Sequence, residues 1–172
     1  MGNSRLVRFD LRRCSGGDLA LCPTIQHGYQ QFSAATANSE ILAVSDHTFL
    51  VLERDSQTGE AATKRVVLVD TAGATDVTAT TRLPATGLPP GVTLVEKRVV
   101  LDLAALLKQA HQPVAEKFEG LAFGPDLPDG RHLLLVCEDN DYVADARSLI
   151  YAFAVDAADL PGFRQQAFGA HE

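Results

Sequence analysis

The sequence predicts an all-β protein, a partial β-propeller built from four-stranded antiparallel blades. Three observations support this fold class. Short apolar, β-branched or aromatic segments alternate with Gly, Pro, Asp and Asn along most of the 172 residues. One pattern of strands occurs more than once in the chain. The central strand of each copy is apolar at consecutive positions, which is typical of a strand with both faces covered.

The strands are predicted where such apolar segments are bounded by turn-forming residues. They cover residues 5–11, 40–44, 48–53, 65–70, 92–101, 119–124, 132–138 and 149–155. Residues 103–110, with the sequence LAALLKQA, have helical spacing of their leucines. This segment is predicted to be a short helical insertion on the surface.

The repeat joins SEILAVSDHTFLVLERD, from residue 39, with FEGLAFGPDLPDGRHLLLVCEDN, from residue 118. Each copy has a Glu, an apolar strand, a turn, a second apolar strand and then acids. A similar third strand follows each copy (KRVVLVDT and SLIYAFAVDA), and the N-terminal SRLVRFDL resembles it again. TLVEKRVVLDL adds a fourth strand to the middle copy. Recurrence of a four-stranded meander is typical of a β-propeller.

These boundaries predict a single incomplete propeller domain over residues 1–172. It comprises a blade tail at 1–38, a full blade at 39–102, the helical insertion at 103–112 and a second blade at 118–172. An internally repeated β-sandwich is the alternative. Propellers close with about four to eight blades. So few blades would form an open arc, and its uncovered faces predict self-association.

Charge and hydropathy exclude several classes of partner. The chain has 22 acidic residues against 15 Lys and Arg, a net charge of −7, and no basic cluster, which argues against nucleic acids and anionic membranes. No apolar run approaches the ~18 residues of a membrane span. The opening MGNSRLVRFDLRR lacks the apolar segment of a signal peptide, so none is expected in this chain.

The cysteines are predicted to differ in role. Cys14 and Cys22 have a spacing that a disulfide could close, and such a bond would indicate an oxidising compartment. Whether they are joined stays open. Cys137, inside LLLVCE, is predicted to be a buried free thiol.

Acids lie at both ends of the repeated hairpins. Inner strands line a propeller's channel, so acids at equivalent places in two blades would meet near its axis. Clustered carboxylates repel one another unless a cation lies among them. Their oxygens favour Ca²⁺, and Mg²⁺ less, because Ca²⁺ tolerates ligands from several loops. Ion pairs among surface charges are the alternative. The predicted metal ligands are Glu40, Glu119, Glu138, Asp139 and Asp141.

The pattern SEI…FLVLERD…VVLVD…EGLAFGPDLPDGRHLLLVCEDND…IYAFAVD, over residues 39–155, resembles the family called "esterase-like activity of phytase". The LER and EGLA segments are its most specific parts. More distantly, Glu119-Gly120 and Glu138-Asp139 resemble the EG…EE pattern of calcium-dependent propeller phytases. That resemblance implies metal binding by these acids and an extracellular or periplasmic location. Leucines replace the phytase Tyr, and the N-terminal blades that supply other ligands are missing.

The first functional hypothesis is a metal-dependent hydrolase of small phosphate esters or related carboxylic esters, here in a truncated form. Glu53, Arg54 and Glu138 are the predicted catalytic residues. Arg54 would clamp an oxyanion, since guanidinium suits bidentate binding; an ion pair with a neighbouring acid is the alternative. The second hypothesis is a non-catalytic propeller fragment that binds a ligand or a protein and holds structural calcium.

Overall fold

The fold is described from a computed structural model of the chain, which covers residues 2–14, 18, 22 and 24–165. Within these residues the chain forms nine β-strands and one α-helix, with short 3₁₀ turns between some of them. The elements are β1 (Asn3–Phe9), β2 (Thr24–Gln30), β3 (Ala37–Ala43), β4 (Thr48–Arg54), β5 (Lys64–Asp70), β6 (Glu96–Asp102), α1 (Leu103–Gln109), β7 (Phe118–Phe123), β8 (His132–Glu138) and β9 (Leu149–Val155).

The strands form three antiparallel sheets, so the all-β prediction is confirmed. β1 pairs with β2, the strands β3-β4-β5-β6 follow one another in a four-stranded sheet, and β7-β8-β9 form a three-stranded sheet. The middle sheet therefore has the strand order of the predicted four-stranded meander. The arrangement of such sheets in a propeller stays a prediction.

The strand predictions differ most from the structure at β2 and β6. β2 was not predicted, because its sequence TIQHGYQ intersperses polar residues and a glycine among few apolar ones. Gly28 lies against Leu94, and a Cβ at this position would be 2.8 Å from the Leu94 Cδ2, so a larger residue would require that side chain to shift. β6 begins at Glu96 rather than residue 92, because the residues before it bond to other segments: the Thr93 carbonyl oxygen accepts from the Thr75 N–H, and the Val95 N–H donates to the Gly28 carbonyl oxygen.

The described chain divides into two compact units. The first contains the segments before residue 37 and the segment 70–97; the second contains residues 37–69 and the chain from residue 98. In the first unit, Arg5 joins the hairpin to the later segment. Its guanidinium donates to the Gln26 side chain at 2.7 Å and to the Thr80 carbonyl oxygen at 2.6 Å.

A disulfide joins Cys14 to Cys22, with their Cα atoms 4.2 Å apart. The sequence leaves open whether these two cysteines are joined, and in the structure they are. Cys137 is a free thiol, and it is partly exposed rather than buried as predicted.

The second unit is built around one apolar core shared by two sheets. Strand alternation directs Leu50 and Leu52 of β4 into this core, and Leu134 and Val136 of β8 likewise. All four side chains are fully buried, as is Phe118 at the start of β7. Strand β7 also packs against β3 and β4. The β3–β6 and β7–β9 sheets are therefore held together by side chains from alternate positions.

Helix α1 belongs to this core and is not the predicted surface insertion. Leu103, Ala104 and Leu107 on one of its faces are buried. The Asp102 side chain caps its first turn by accepting a hydrogen bond from the Ala105 N–H at 3.0 Å. Among the described residues, none of the helices has both the length and the apolar run that a membrane crossing needs.

The two central strands differ in how completely they are covered. In β4 the consecutive residues Leu50, Val51 and Leu52 are all buried, which confirms that both faces of this strand are covered. In β8 only alternate residues are fully buried, and Leu133 and Leu135 between them stay partly exposed. The prediction of two covered faces is therefore wrong for β8.

The exposed side of the three-stranded sheet, here called the outer face, is apolar. The register pairs Leu135 with Ala152 and Cys137 with Ile150, so these side chains lie on that face together. Ile150 is 70 % exposed. Apolar side chains that adjoin one another on an exposed sheet face can form an interaction surface. Self-association through an open face stays a prediction, and the outer face is the surface that would support it.

A β-bulge occurs at the same place in both repeated hairpins. The register of β3 against β4 shifts between Asn38 and Glu40, and that of β7 against β8 shifts between Phe118 and Gly120. Ser39 and Glu119 are therefore the extra residues. A bulge leaves the extra residue unpaired and redirects the side chains around it.

A buried ion pair closes the connection from β4 to β5. Lys64 is fully buried, and its Nζ donates to the Asp55 Oδ1 at 2.9 Å, to the Asp55 carbonyl oxygen at 2.6 Å and to the Gln57 carbonyl oxygen at 2.9 Å. Burial acts to raise the pKa of Asp55. Hydrogen bonds from Lys64 and from the N–H groups of Thr63 and Gln57 outweigh it, so this pKa lies below its usual value of 3.8.

We expect Asp55→Asn to lower the free energy of unfolding by about 3 kcal/mol near neutral pH, because it leaves a buried ammonium without its counter-ion. The pKa of Asp55 is lowered by folding, so its contribution is present above its unfolded value and is lost as pH falls through the folded-state pKa. The difference between the two proteins should therefore shrink as pH falls below the usual pKa of 3.8. Urea titration at several pH values measures this. Glu60→Gln, at a carboxylate that is 94 % exposed, is the matched control. Equal stability of all three proteins near pH 7 would contradict the prediction.

We expect Ile150→Asp to reduce self-association, because a carboxylate on the outer face would have to lose its hydration in any contact. Sedimentation velocity over a range of protein concentrations measures the distribution of species. Val143→Asp makes the same change at an exposed loop residue away from this face and should behave as the wild type. A wild type that stays monomeric at every concentration would contradict the prediction, as would equal behaviour of the two variants.

Candidate functional site

Charged side chains collect at one end of the second unit, where β4 ends, β7 begins and β8 ends. The register places Phe118, the first residue of β7, opposite Glu138, the last residue of β8. Just beyond this pair the Asp139 N–H donates to the Lys117 carbonyl oxygen at 2.8 Å. This region is called the charged end, and its members are Arg54, Lys117, Glu119, Glu138, Asp139 and Asp141.

Two rows of core side chains run toward the charged end and finish in charged residues. On β4 the row that contains Leu50 and Leu52 continues, two residues on, to Arg54. On β8 the row that contains Val136 continues in the same way to Glu138. Strand alternation therefore directs both side chains to the core side of their sheets, at the rim where the core ends.

Arg54 forms an ion pair with Glu119 across the two sheets. Its Nη2 donates a charge-assisted hydrogen bond to the Glu119 Oε1. The Arg54 side chain is only 15 % exposed, and that of Glu119 is 35 % exposed. The Arg54 Nε is buried and has no hydrogen-bond partner among the described residues. The guanidinium is thus held at Nη2, while its Nε–H donor has no partner in the part of the chain that the structure describes.

Glu138 is fixed by a tyrosine. The Tyr151 hydroxyl of β9 donates to the Glu138 Oε2 at 2.7 Å. Burial, together with this hydrogen bond, raises the pKa of Tyr151 well above its usual value of 10.0, so the hydroxyl stays protonated and keeps donating at neutral pH. The Tyr151 ring packs 5.6 Å from the Phe118 ring, between centroids. One carboxylate oxygen of Glu138 is therefore held in place.

Lys117 lies between two acids at the surface of the charged end. Its Nζ is 3.1 Å from the Glu116 Oε1 and 3.8 Å from the Asp141 Oδ2. The hydrogen bond to Glu116, and then the charge of Asp141, raise the pKa of Lys117. Asp139 shapes the adjoining turn by accepting a hydrogen bond from the Asp141 N–H at 3.1 Å. Asp141 has a φ of +51°, which is uncommon for a residue other than glycine.

Glu40 and Glu53, also predicted site residues, are placed differently. The Ser39 hydroxyl donates to the Phe118 carbonyl oxygen at 2.8 Å, so β3 and β7 begin side by side. Glu40 lies at this end, but its Oε1 accepts a hydrogen bond from the N–H of the next residue at 2.7 Å. Glu53 is buried, and alternation directs it to the opposite face of the sheet from Arg54.

These acids do not form a ready-made metal site. Among the described residues, no group of three or more His, Cys, Asp and Glu side chains is placed so that it could hold a metal ion. Glu119 is paired with Arg54 and Glu138 with Tyr151, while Ca²⁺ requires six to eight oxygen ligands. The donor set as placed does not fit Ca²⁺ or Mg²⁺. The calcium hypothesis stays a prediction.

Sequence reasoning missed three residues at this end. Lys117 lies two residues before the EGLA segment and could have been noticed as the cation beside the acids. Tyr151 is the one polar side chain in the strand LIYAFAV, which hints at a hydrogen-bonded hydroxyl. Ser39 has no signal in the sequence, because its bond to the Phe118 carbonyl depends on how β3 and β7 meet.

Comparisons with known proteins identify the family. No curated protein and no solved structure gives a significant match to the chain. The family described as "Phytase-like: Esterase-like activity of phytase" matches residues 2–142. The match includes both repeated hairpins with Arg54, Glu119 and Glu138, and it reaches further toward the N-terminus than the LER and EGLA segments alone indicate. The chain therefore belongs to the phytase-like family.

Proposed function

We propose that this protein hydrolyses phosphate esters or related carboxylic esters at the charged end, where Arg54 binds the substrate oxyanion. The observation that carries the proposal is the state of the Arg54 guanidinium. Glu119 orients it through one Nη atom, the side chain is largely buried, and the Nε–H donor has no partner among the described residues. A guanidinium that is held on one side and free on another can bind a phosphoryl or carbonyl oxygen.

Glu138 supplies the base in this proposal. Tyr151 holds one of its oxygens, and within the described residues no hydrogen bond to the other oxygen is formed. That oxygen can accept a proton from a water molecule as the water oxygen bonds to phosphorus or to the carbonyl carbon. The bond to the leaving alcohol then breaks, and the alcohol oxygen takes up the proton that Glu138 accepted, which returns Glu138 to its carboxylate form. Arg54 stabilises the negative charge that develops on the substrate oxygens.

The same reasoning assigns Glu53 no part in this step, since it lies on the other face of the sheet. The Cys14–Cys22 disulfide supports our further proposal that the protein works in an oxidising compartment, extracellular or periplasmic.

We expect the wild type to release p-nitrophenol from p-nitrophenyl phosphate or from p-nitrophenyl butyrate. Arg54→Gln should lower kcat/KM by about 100-fold, because it removes the donor to the oxyanion. Glu138→Gln should lower kcat by about 100-fold or more, because the amide cannot accept the proton. Release of p-nitrophenol under steady-state conditions measures both. The circular dichroism spectrum and the melting temperature of each variant establish that it is folded.

Arg98→Gln is the matched control for the arginine variant. Arg98 pairs with Asp159 in a well-exposed ion pair outside the charged end, so its loss should leave turnover unchanged. The proposal fails if the wild type turns over neither ester, even where it binds one, because binding alone describes a non-catalytic module. It also fails if folded Arg54→Gln keeps full activity. Turnover that rises with added Ca²⁺ and falls with EDTA would confirm the calcium prediction, and turnover unaffected by both would contradict it.

A further inference from the structure

A cavity of about 390 Å³ lies in the second unit between β3 and β7, at the ends of these strands opposite the charged end. Its volume is in the range of small-molecule sites. Each strand contributes consecutive residues to the wall, which shows that the cavity follows the strand edges rather than one face of a sheet. The residues that matter here are Leu42, Val44, Leu121, Phe123, Phe163 and Arg164.

The open edges of the two strands give this apolar wall some polar groups. β3 and β7 are each the first strand of their sheet, and no described strand pairs with them on this side. The Val44 N–H bonds to the Thr48 carbonyl oxygen and the Gly124 N–H to the Leu133 carbonyl oxygen, both at 2.9 Å. Backbone groups alternate in direction along an antiparallel strand, so Ala43 and Phe123, which precede these two residues, direct their N–H and C=O groups away from the sheet. Those of Phe123 lie at the cavity wall.

The aromatic part of the cavity wall is supported by contacts among its own rings and with a histidine next to them. The ring of Phe163 lies 4.0 Å from the ring of Phe123, between centroids, and 4.7 Å from the ring of His132 in an edge contact. The His132 Nδ1 in turn lies 2.7 Å from the Asp126 Oδ1, which fixes the imidazole. This side of the cavity is therefore formed by a supported aromatic cluster.

The charge of the lining differs from that of the protein. The chain carries a net charge of −7, yet no Asp or Glu is among the described residues that line the cavity. The one charged residue in this described lining is Arg164, and the structure gives it no ion pair with another described residue. An apolar cavity with a single cation at its wall is complementary to a ligand that has an apolar body and one negative charge.

We propose that this cavity binds a linear monocarboxylate with an apolar chain. The chain lies against Leu42, Val44, Leu121 and Phe163, and the carboxylate pairs with Arg164. The N–H group that Phe123 directs away from its sheet is a further donor to a carboxylate oxygen. This site lies at the other end of β3 and β7 from Arg54, so it does not depend on the proposed hydrolysis.

Titration of the full chain with decanoate, below its micelle concentration, tests the proposal by isothermal calorimetry and by methyl chemical shifts. We expect one saturable site with a Kd of about 1 mM or tighter. Arg164→Gln should weaken binding about fivefold to tenfold through loss of the charged hydrogen bond. Phe163→Ala should weaken it similarly through loss of apolar contact. Arg131→Gln, which changes the same charge outside the cavity, should bind as the wild type.

Two further ligands separate the contributions of charge and chain. Acetate carries the charge without the chain and should not saturate the site, and methyl decanoate carries the chain without the charge and should bind as weakly as decanoate does to Arg164→Gln. The proposal is overturned if decanoate shows no saturable binding. It is overturned as well if decanoate binds both cavity variants as tightly as the wild type, or if methyl decanoate equals decanoate.

Discussion

The structure of the second unit depends on one constraint, the packing of the β3–β6 and β7–β9 sheets on a common apolar core. Leu50 and Leu52 enter it from one sheet, and Leu134 and Val136 from the other. Full burial of a side chain of this kind contributes about 1.5–3 kcal/mol each, so these four outweigh any single polar contact in the unit. Because the core sets how the two sheets face each other, it also sets which strand ends meet.

The polar chemistry of the unit follows from where that core stops. Arg54 and Glu138 continue core-facing rows for one more position, at which the apolar contacts end and water begins. A guanidinium placed there loses part of its hydration and needs an acceptor, and Glu119 of the neighbouring sheet supplies it. Glu138 likewise needs a hydrogen-bond donor, and the Tyr151 hydroxyl supplies it. The charges at this end are thus held by partners from different strands.

Much of the fold could be predicted from the sequence because the strands of the second unit are strongly apolar and bounded by turn residues. β2 could not, since Tyr29 is its one large buried apolar side chain. The burial of Leu103 and Leu107 could not be predicted either, because the leucines of a seven-residue helix have the same spacing whether the helix lies on a surface or in a core.

At the site, the sequence offered both an oxyanion clamp and an ion pair for Arg54, and the structure contains the ion pair. Its partner is 65 residues away, so only the packing of the sheets could select Glu119. Glu53 was grouped with Arg54 as a site residue because it closes the second strand of its repeat, as Glu138 does in the other copy. Neighbours on a strand face opposite ways, and this rule alone would have separated them.

The bulges at Ser39 and Glu119 have a consequence for how such a protein can change. Each bulge interrupts the alternation of side chains along its strand. The interruption falls between the core-facing part of the strand and the residues before it. The segment before a bulge can therefore acquire new side chains, and aim them differently, while Leu42 or Leu121 beyond it keeps its place. Evolution can in this way vary recognition at the strand entrance without repacking the interior.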